Sequence, residues 1–276
     1  MRKTEVIFRI NKYDLDIPEA YADEYVEFKG RIGKRGVEFK PNVDFTYYFL
    51  NNTGYILSPD IFLDEGEITI KTEDEDIDFR YEENLCEEFR DCIDLSEIYL
   101  NLAEKITEKD MIKAIEKYRM EDFIRQVGKA YVPFGLRMTE EEDSLWYAIL
   151  EDIVKNLTKN KQKTKIIMRE AVNVVYSEVF VPMFKECKRY KNEVLDYKKC
   201  LYSEFEKRRN NIMTIGVNTL NYIFMDVVYD VARKRKREFK DEICSALKKH
   251  KSEVEKLPED SDFRRDFFLK YDELCR

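Results

Sequence analysis

Residues 211–240 have the sequence NIMTIGVNTLNYIFMDVVYDVARKRKREFK. Apolar residues recur through its first part at steps of three and four, the spacing of one helical face: Met213, Val217, Leu220, Phe224, Val227 and Val231. Further apolar residues fill most of the circumference, which is typical of a helix buried on most sides. Its end is a run of positive charge. The stretch therefore predicts one helix that begins inside the protein and ends in water.

A membrane-spanning interpretation of this stretch is weaker than a core helix. A spanning helix needs about 20 mostly apolar residues. Here the uncharged run extends only from Asn210 to Met225, contains several Asn and Thr residues, and is followed by Asp226 and Asp230. We therefore predict a core helix and no membrane partner.

The charge of the chain is unevenly distributed over its 276 residues. Residues 51–100 contain 3 basic and 16 acidic residues, whereas residues 151–250 contain 23 basic and 14 acidic ones. Such asymmetry suggests a nucleic acid or an acidic protein as partner of the basic part. Solvated patches on a highly charged helical protein are the alternative explanation.

The first 81 residues are rich in strand-forming residues and turns. Val26-Glu27-Phe28-Lys29 and Val37-Glu38-Phe39-Lys40 repeat one alternating pattern around a glycine-rich connection, which predicts a β-hairpin. Seven strands are predicted in all: Thr4–Ile10, Tyr25–Lys29, Gly36–Lys40, Val43–Asn51, Gly54–Ser58, Glu67–Lys71 and Ile77–Tyr81.

The hairpin connection is basic. Its residues 32–36, Ile-Gly-Lys-Arg-Gly, resemble the I-G-x-x-G loop of KH domains, in which the loop backbone clamps nucleic-acid phosphates. That loop joins two helices, whereas strands flank it here. We keep only the prediction of an anion-binding loop tip formed by Arg31, Lys34 and Arg35.

Helical periodicity begins near residue 85 and continues to the end. We therefore predict an α+β fold, with a small β-sandwich or barrel-like domain over residues 1–83 and a larger all-α domain with long helices over residues 84–276. Thr107 and Thr139 carry the signatures of helix N-caps. Residues 156–165 are interpreted as a basic loop, and Pro182 is expected to kink the helix that follows.

A narrow apolar stripe marks the segment after Pro182. Tyr190, Val194, Tyr197 and Leu201 recur at near-heptad spacing on an otherwise charged helix, so they predict contact with one neighbouring helix. That neighbour is either the helix of residues 211–240 with its continuation, or a second copy of the chain.

The six cysteines form no C-x-x-C pair. The charged N-terminus does not resemble a signal peptide. We therefore expect reduced thiols and a cytoplasmic location.

No catalytic signature is found. The single histidine, His250, lies in a Lys-rich helix end and is expected to be exposed. Phosphate-binding glycine motifs are missing from the sequence, so no cofactor is predicted. The acidic residues between Asp60 and Asp78 could bind a hard cation, which leaves a metal-dependent hydrolase as the least favoured alternative.

The sequence thus favours a non-enzymatic macromolecule-binding protein with a protein partner. Its composition, rich in Lys, Glu, Asn and Tyr, suggests a virus- or mobile-element-encoded inhibitor or accessory factor. Nucleic-acid binding through a basic helix is the alternative, with Arg233, Lys234, Arg237 and Lys240 as the contact residues. A homo-oligomer through the helical domain is a further expectation.

Overall fold

The computed structural model describes residues 5–11, 25–33, 36–60, 66–71, 76–81, 95–133, 136–212 and 219–276. Within these ranges, five strands form one antiparallel sheet in the order β3-β2-β1-β4-β5. They lie where the sequence predicts strands: β1 (Glu5–Asn11), β2 (Tyr25–Gly33), β3 (Gly36–Phe39), β4 (Gly66–Lys71) and β5 (Asp76–Tyr81).

The predicted N-terminal β-sandwich or barrel is wrong. The described strands make a single open sheet, and helices account for most of the described chain. The predicted strands Val43–Asn51 and Gly54–Ser58 are instead one helix, α1 (Val43–Leu57). Asn42 begins it by accepting the backbone N–H of Phe45 at 2.7 Å. The turn predicted between these strands is present only as a kink at Asn52.

Ten further helices follow in the described part of the chain. They are α2 (Leu95–Ala103), α3 (Glu108–Tyr118), α4 (Met120–Lys129), α5 (Glu140–Lys159), α6 (Lys161–Val175), α7 (Val181–Cys187), α8 (Val194–Ile212), α9 (Leu220–Lys234), α10 (Lys240–Val254) and α11 (Asp262–Cys275). A π-helical turn (Tyr176–Phe180) separates α6 from α7. Pro182, which has no N–H to donate, explains that local widening, as predicted for a kink.

The chain divides into two compact units. The first comprises Met1–Tyr118 and Val175–Ile223, and the second Arg119–Val174 and Phe224–Arg276. The predicted domain boundary between residues 83 and 84 lies outside the described residues and stays a prediction. In the first unit, α1 packs against α3 and α8.

The second unit is organised around α5, which packs against α4 and α10. Its predicted capping box is confirmed, because the N–H of Glu142 donates to Thr139 Oγ1 at 3.3 Å and Glu142 accepts the N–H of Thr139 at 2.8 Å. Glu142 also accepts a hydrogen bond from Ser261, which is itself the N-cap of α11. Trp146 is buried and donates to the carbonyl of Pro133 at 2.6 Å.

Two disulfides contradict the expectation of reduced thiols. Cys187 is bonded to Cys200 in the first unit, and Cys244 to Cys275 in the second. Neither pairing follows from sequence spacing, because each bond joins residues that only packed helices bring together. Cys86 and Cys92 lie outside the described residues.

Candidate binding surface at the basic corner

The helix predicted over residues 211–240 is interrupted. Its buried part is confirmed where it is described, since Leu220, Phe224 and Val228 of α9 are fully buried. Residues 213–218 lie outside the described part. At its other end α9 stops at Lys234, Arg235 leaves the helical conformation, and a 3-10 turn (Lys236–Phe239) leads into α10. We call residues 233–240 the basic corner.

An aromatic anchor holds the basic corner in place. The fully buried ring of Phe239 meets Tyr131 edge-on, with ring centroids 6.2 Å apart. The Tyr131 hydroxyl donates to the carbonyl of Ala232 at 3.0 Å, in the last turn of α9, and that carbonyl also accepts the backbone N–H of Arg235 at 3.1 Å. Burial raises the pKa of Tyr131, and the nearby carboxylates of Glu238 and Glu242 add to that rise. The hydroxyl therefore remains a donor at neutral pH.

Two cations of the corner are already neutralised. Arg235 Nε lies 2.6 Å from Glu170 on α6, and its Nη1 lies 2.8 Å from Glu238. Lys236 pairs with Glu273 on α11. Both cations are half-buried, so they hold the corner to its neighbours and are not available to a partner.

The other four cations of the corner are exposed: Arg233, Lys234, Arg237 and Lys240. None of them lies within 4.0 Å of a carboxylate of the described chain. They are the residues that the sequence assigns to a binding helix. Their predicted place on one basic helix is wrong, because α9 ends at Lys234 and a 3-10 turn follows. They instead lie on both sides of the break at Arg235.

The loop tip is described only in part. Strands β2 and β3 pair as the predicted hairpin, with Gly33 opposite Gly36. Arg31 lies inside β2, in register with Glu5 of β1 and Glu38 of β3, rather than in the connection. Lys34 and Arg35 lie outside the described residues, so their predicted role stays a prediction.

The predicted helix-partner stripe lies in the first unit. Tyr197 and Leu201 of α8 are buried, whereas Tyr190 and Val194 are half-buried. Tyr190 ends a 3-10 turn, so the stripe does not lie on one helix. Helix α8 packs against α1 and α7, which are neither of the neighbours predicted for it.

The prediction of an exposed His250 is wrong. Its exposed fraction is only 7%, and its Nε2 lies 2.6 Å from Asp152 on α5. Lys249 Nζ donates to the same carboxylate at 2.6 Å. The hydrogen bond from Lys249 is the main cause of the lowered pKa of Asp152, and His250 adds to it. This cluster joins α10 to α5.

No cluster of metal-ligating side chains is found among the residues that the structure describes. Much of the acidic stretch between Asp60 and Asp78 lies outside them, so the metal-dependent hydrolase stays an untested alternative.

A cleft of about 570 Å³ opens at the start of α5, lined by three glutamates, Ser144, Leu257 and Pro258 among others. Its buried carboxylate, Glu142, is already bonded to Thr139 and Ser261.

Sequence reasoning missed the basic face of α6. Residues 156–165, interpreted as a loop, belong to the end of α5 and the start of α6. Lys161 and Arg169 are exposed on α6, and each lies four residues from Lys165. That spacing places the three on one helical face, so the sequence alone could have predicted this basic face.

Comparison of the chain with protein-family models, curated proteins and solved structures gave no match. Within the described residues, no helix is both long and apolar enough to cross a membrane. A functional assignment must therefore start from the surface just described.

Proposed function

We propose that this chain is a binding protein without catalytic chemistry, which contacts an acidic macromolecule through the basic corner. The observation that carries the proposal is the exposure of Arg233, Lys234, Arg237 and Lys240, with no carboxylate of the described chain in ion-pair range. Clustered cations of this kind raise the local potential and attract a polyanion. A partner would replace the water and counterions that now surround these four side chains.

Heparin chromatography tests the corner directly. We expect R233E/R237E to elute at lower salt than the unmodified protein. The matched control is K248E/K256E, which makes the same charge change at exposed positions of α10 and just beyond it. Equal elution of both variants would show that net charge alone governs retention, and the proposal would fail.

Two finer expectations belong to this proposal. The first is that the chain is an inhibitor or accessory factor that acts on a protein partner. The second is the homo-oligomer predicted from the sequence. The mass in solution, measured by light scattering over a range of concentrations, tests the second expectation. A constant monomer mass would remove it.

The expected cytoplasmic location depends on the redox state of the cysteines. Disulfides are typical of oxidising compartments, with intracellular proteins of hyperthermophiles as an exception. The two disulfides therefore remove the reason for which we expect a cytoplasmic location. Alkylation under denaturing conditions during lysis of the source cells, followed by mass measurement, would test it, since a cytoplasm of ordinary redox poise predicts six modified cysteines.

A further inference from the structure

We propose that α6 and the basic corner form one continuous surface for the sugar-phosphate backbone of a nucleic acid. The inference rests on the proposed function, because the corner contributes four of the exposed cations. It adds the class of partner and a second element, α6.

Two ion pairs hold α6 beside the corner. Glu170, in the last two turns of α6, pairs with Arg235 at 2.6 Å. Lys163, in its first turn, pairs with Glu242 of α10 at 3.0 Å and lies 5.8 Å from the ring centroid of Phe239. Since both ends of α6 are attached, its outer face continues the surface of the corner.

The same ion pairs use up the carboxylates of this surface. Residues 159–170 and 233–242 contain eleven cationic and four acidic residues, a net charge of +7. Three of the four carboxylates, Glu170, Glu238 and Glu242, are paired with the half-buried Arg235 and Lys163. Only Asp241 is left to oppose the outer cations.

The outer cations extend over both elements. Lys159, at the end of α5, and Lys161 and Arg169 of α6 are exposed, and none lies within 4.0 Å of a carboxylate of the described chain. Lys161 and Arg169 lie about 12 Å apart along the axis at 1.5 Å per residue. A nucleic-acid strand carries one phosphate per 3.4 Å or so of axis, so α6 alone spans about three to four phosphates.

The composition of the surface favours a nucleic acid over an acidic protein. Protein interfaces draw much of their affinity from buried Trp, Tyr and Arg anchors, whereas nucleic-acid interfaces are polar and strongly positive throughout. Ile166 is the one large apolar residue of α6 or the corner found exposed in the described chain, and Phe239 is fully buried. Fixed cations with little apolar area fit a phosphate backbone.

Fluorescence anisotropy with a labelled DNA duplex of about 20 base pairs tests the inference, because phosphate contacts give a defined salt dependence. Each phosphate contact contributes roughly −0.9 to the slope of log K against log salt. Seven exposed cations therefore predict a slope of up to about −6. An RNA duplex, a single strand and a poly-glutamate peptide serve as alternative probes.

The decisive variant is K161Q/R169Q, which changes only α6. If contacts vanish near 1 M salt, loss of two contacts weakens binding roughly 60-fold at about 0.1 M and reduces the slope by roughly 2. The matched control is K248Q/K256Q, which removes the same charge elsewhere on the second unit and is expected to bind like the unmodified protein. Circular dichroism of each variant checks that the fold is retained.

The outcomes separate this inference from the proposed function. A weaker, less salt-dependent K161Q/R169Q supports the inference. If R233Q/R237Q loses binding while K161Q/R169Q matches its control, α6 is not part of the surface, and the inference falls while the proposed function stands. Tighter binding to poly-glutamate than to every nucleic acid has the same consequence. No binding to any probe at about 50 mM salt, where phosphate contacts are strongest, overturns both.

Discussion

Loss of the Cys244–Cys275 disulfide should strongly lower the stability of the second unit. The bond joins positions 31 residues apart. Closing a loop of that length removes about 12 cal/mol/K from the entropy of the unfolded chain, which corresponds to about 3.7 kcal/mol at 25 °C. That is a large share of the 5–15 kcal/mol or so by which typical domains are stable. We therefore expect C244S/C275S to remain folded but with little margin.

The single tryptophan makes the measurement specific. Trp146 is buried in the same unit as this disulfide, so a red shift of its emission reports unfolding there. With a urea dependence of about 1–3 kcal/mol/M, the midpoint of unfolding should fall by at least roughly 1 M in C244S/C275S. In the presence of a thiol reductant, which opens both disulfides, the unmodified protein and C244S/C275S should unfold at the same midpoint.

Convergence under reductant is the control for the serine substitutions themselves. Cys244 is buried, so a hydroxyl placed there carries its own cost, which would leave the variant below the reduced protein. The reasoning is refuted if reductant leaves the unmodified midpoint unchanged, or if alkylation of the denatured, unreduced protein modifies all six cysteines.

Three further predictions concern packing and protonation. G128A places a methyl group 3.0 Å from Leu150, so overpacking of about 1–3 kcal/mol should outweigh the gain of up to about 1 kcal/mol in helix propensity and lower the melting temperature. Asp152 has a lowered pKa in the folded protein, so its stabilising contribution is present above its unfolded pKa and is lost as the pH falls; D152N should therefore flatten the acid side of the stability curve. Burial, helped by the hydrogen bond to Asp44, raises the pKa of Tyr118 to about 12, so its contribution is complete below about pH 10 and is lost as the pH rises to about 12. Y118F should remove one tyrosinate transition near pH 12 from the titration followed by ultraviolet absorbance; an unchanged titration would contradict this assignment.

Local signals predicted the helix starts well. Thr107 bonds with Asp110, and Thr139 with Glu142, as their spacing indicates. An N-cap depends on residues three positions apart, so nothing distant in the chain is needed to form it. The same locality explains why the strands of the hairpin could be placed.

Helix α1 was mistaken for strands because it is buried on nearly all sides, so its sequence shows no helical period of apolar and polar residues. Nearly all of its side chains are buried, including every residue from Phe45 to Asn51. A continuous apolar run rich in aromatic residues has strand propensity, and it cannot be told from a fully buried helix by period. Packing against the surrounding helices of the first unit determines that this run is a helix.

The bend at the basic corner could not be predicted either. No glycine or proline, which would indicate a helix break, lies between Val231 and Lys240. The break depends on Phe239 packing against Tyr131, more than 100 residues earlier, and on the hydrogen bond from the Tyr131 hydroxyl to the Ala232 carbonyl in the last turn of α9. The four exposed cations of the basic corner could be named from the sequence. Helix α6 could be assigned to the same surface only from the ion pairs Glu170–Arg235 and Lys163–Glu242.

The carboxylate of Glu142 has a consequence for how the second unit opens. One group completes the first turn of α5 and also holds the serine that begins α11. These two helix ends are distant in sequence, yet fraying at either one breaks the hydrogen bond between Ser261 and Glu142 that joins them. In hydrogen-exchange experiments, the amides near Thr139 and those near Ser261 should accordingly lose protection together, as a single cooperative opening rather than two independent ones.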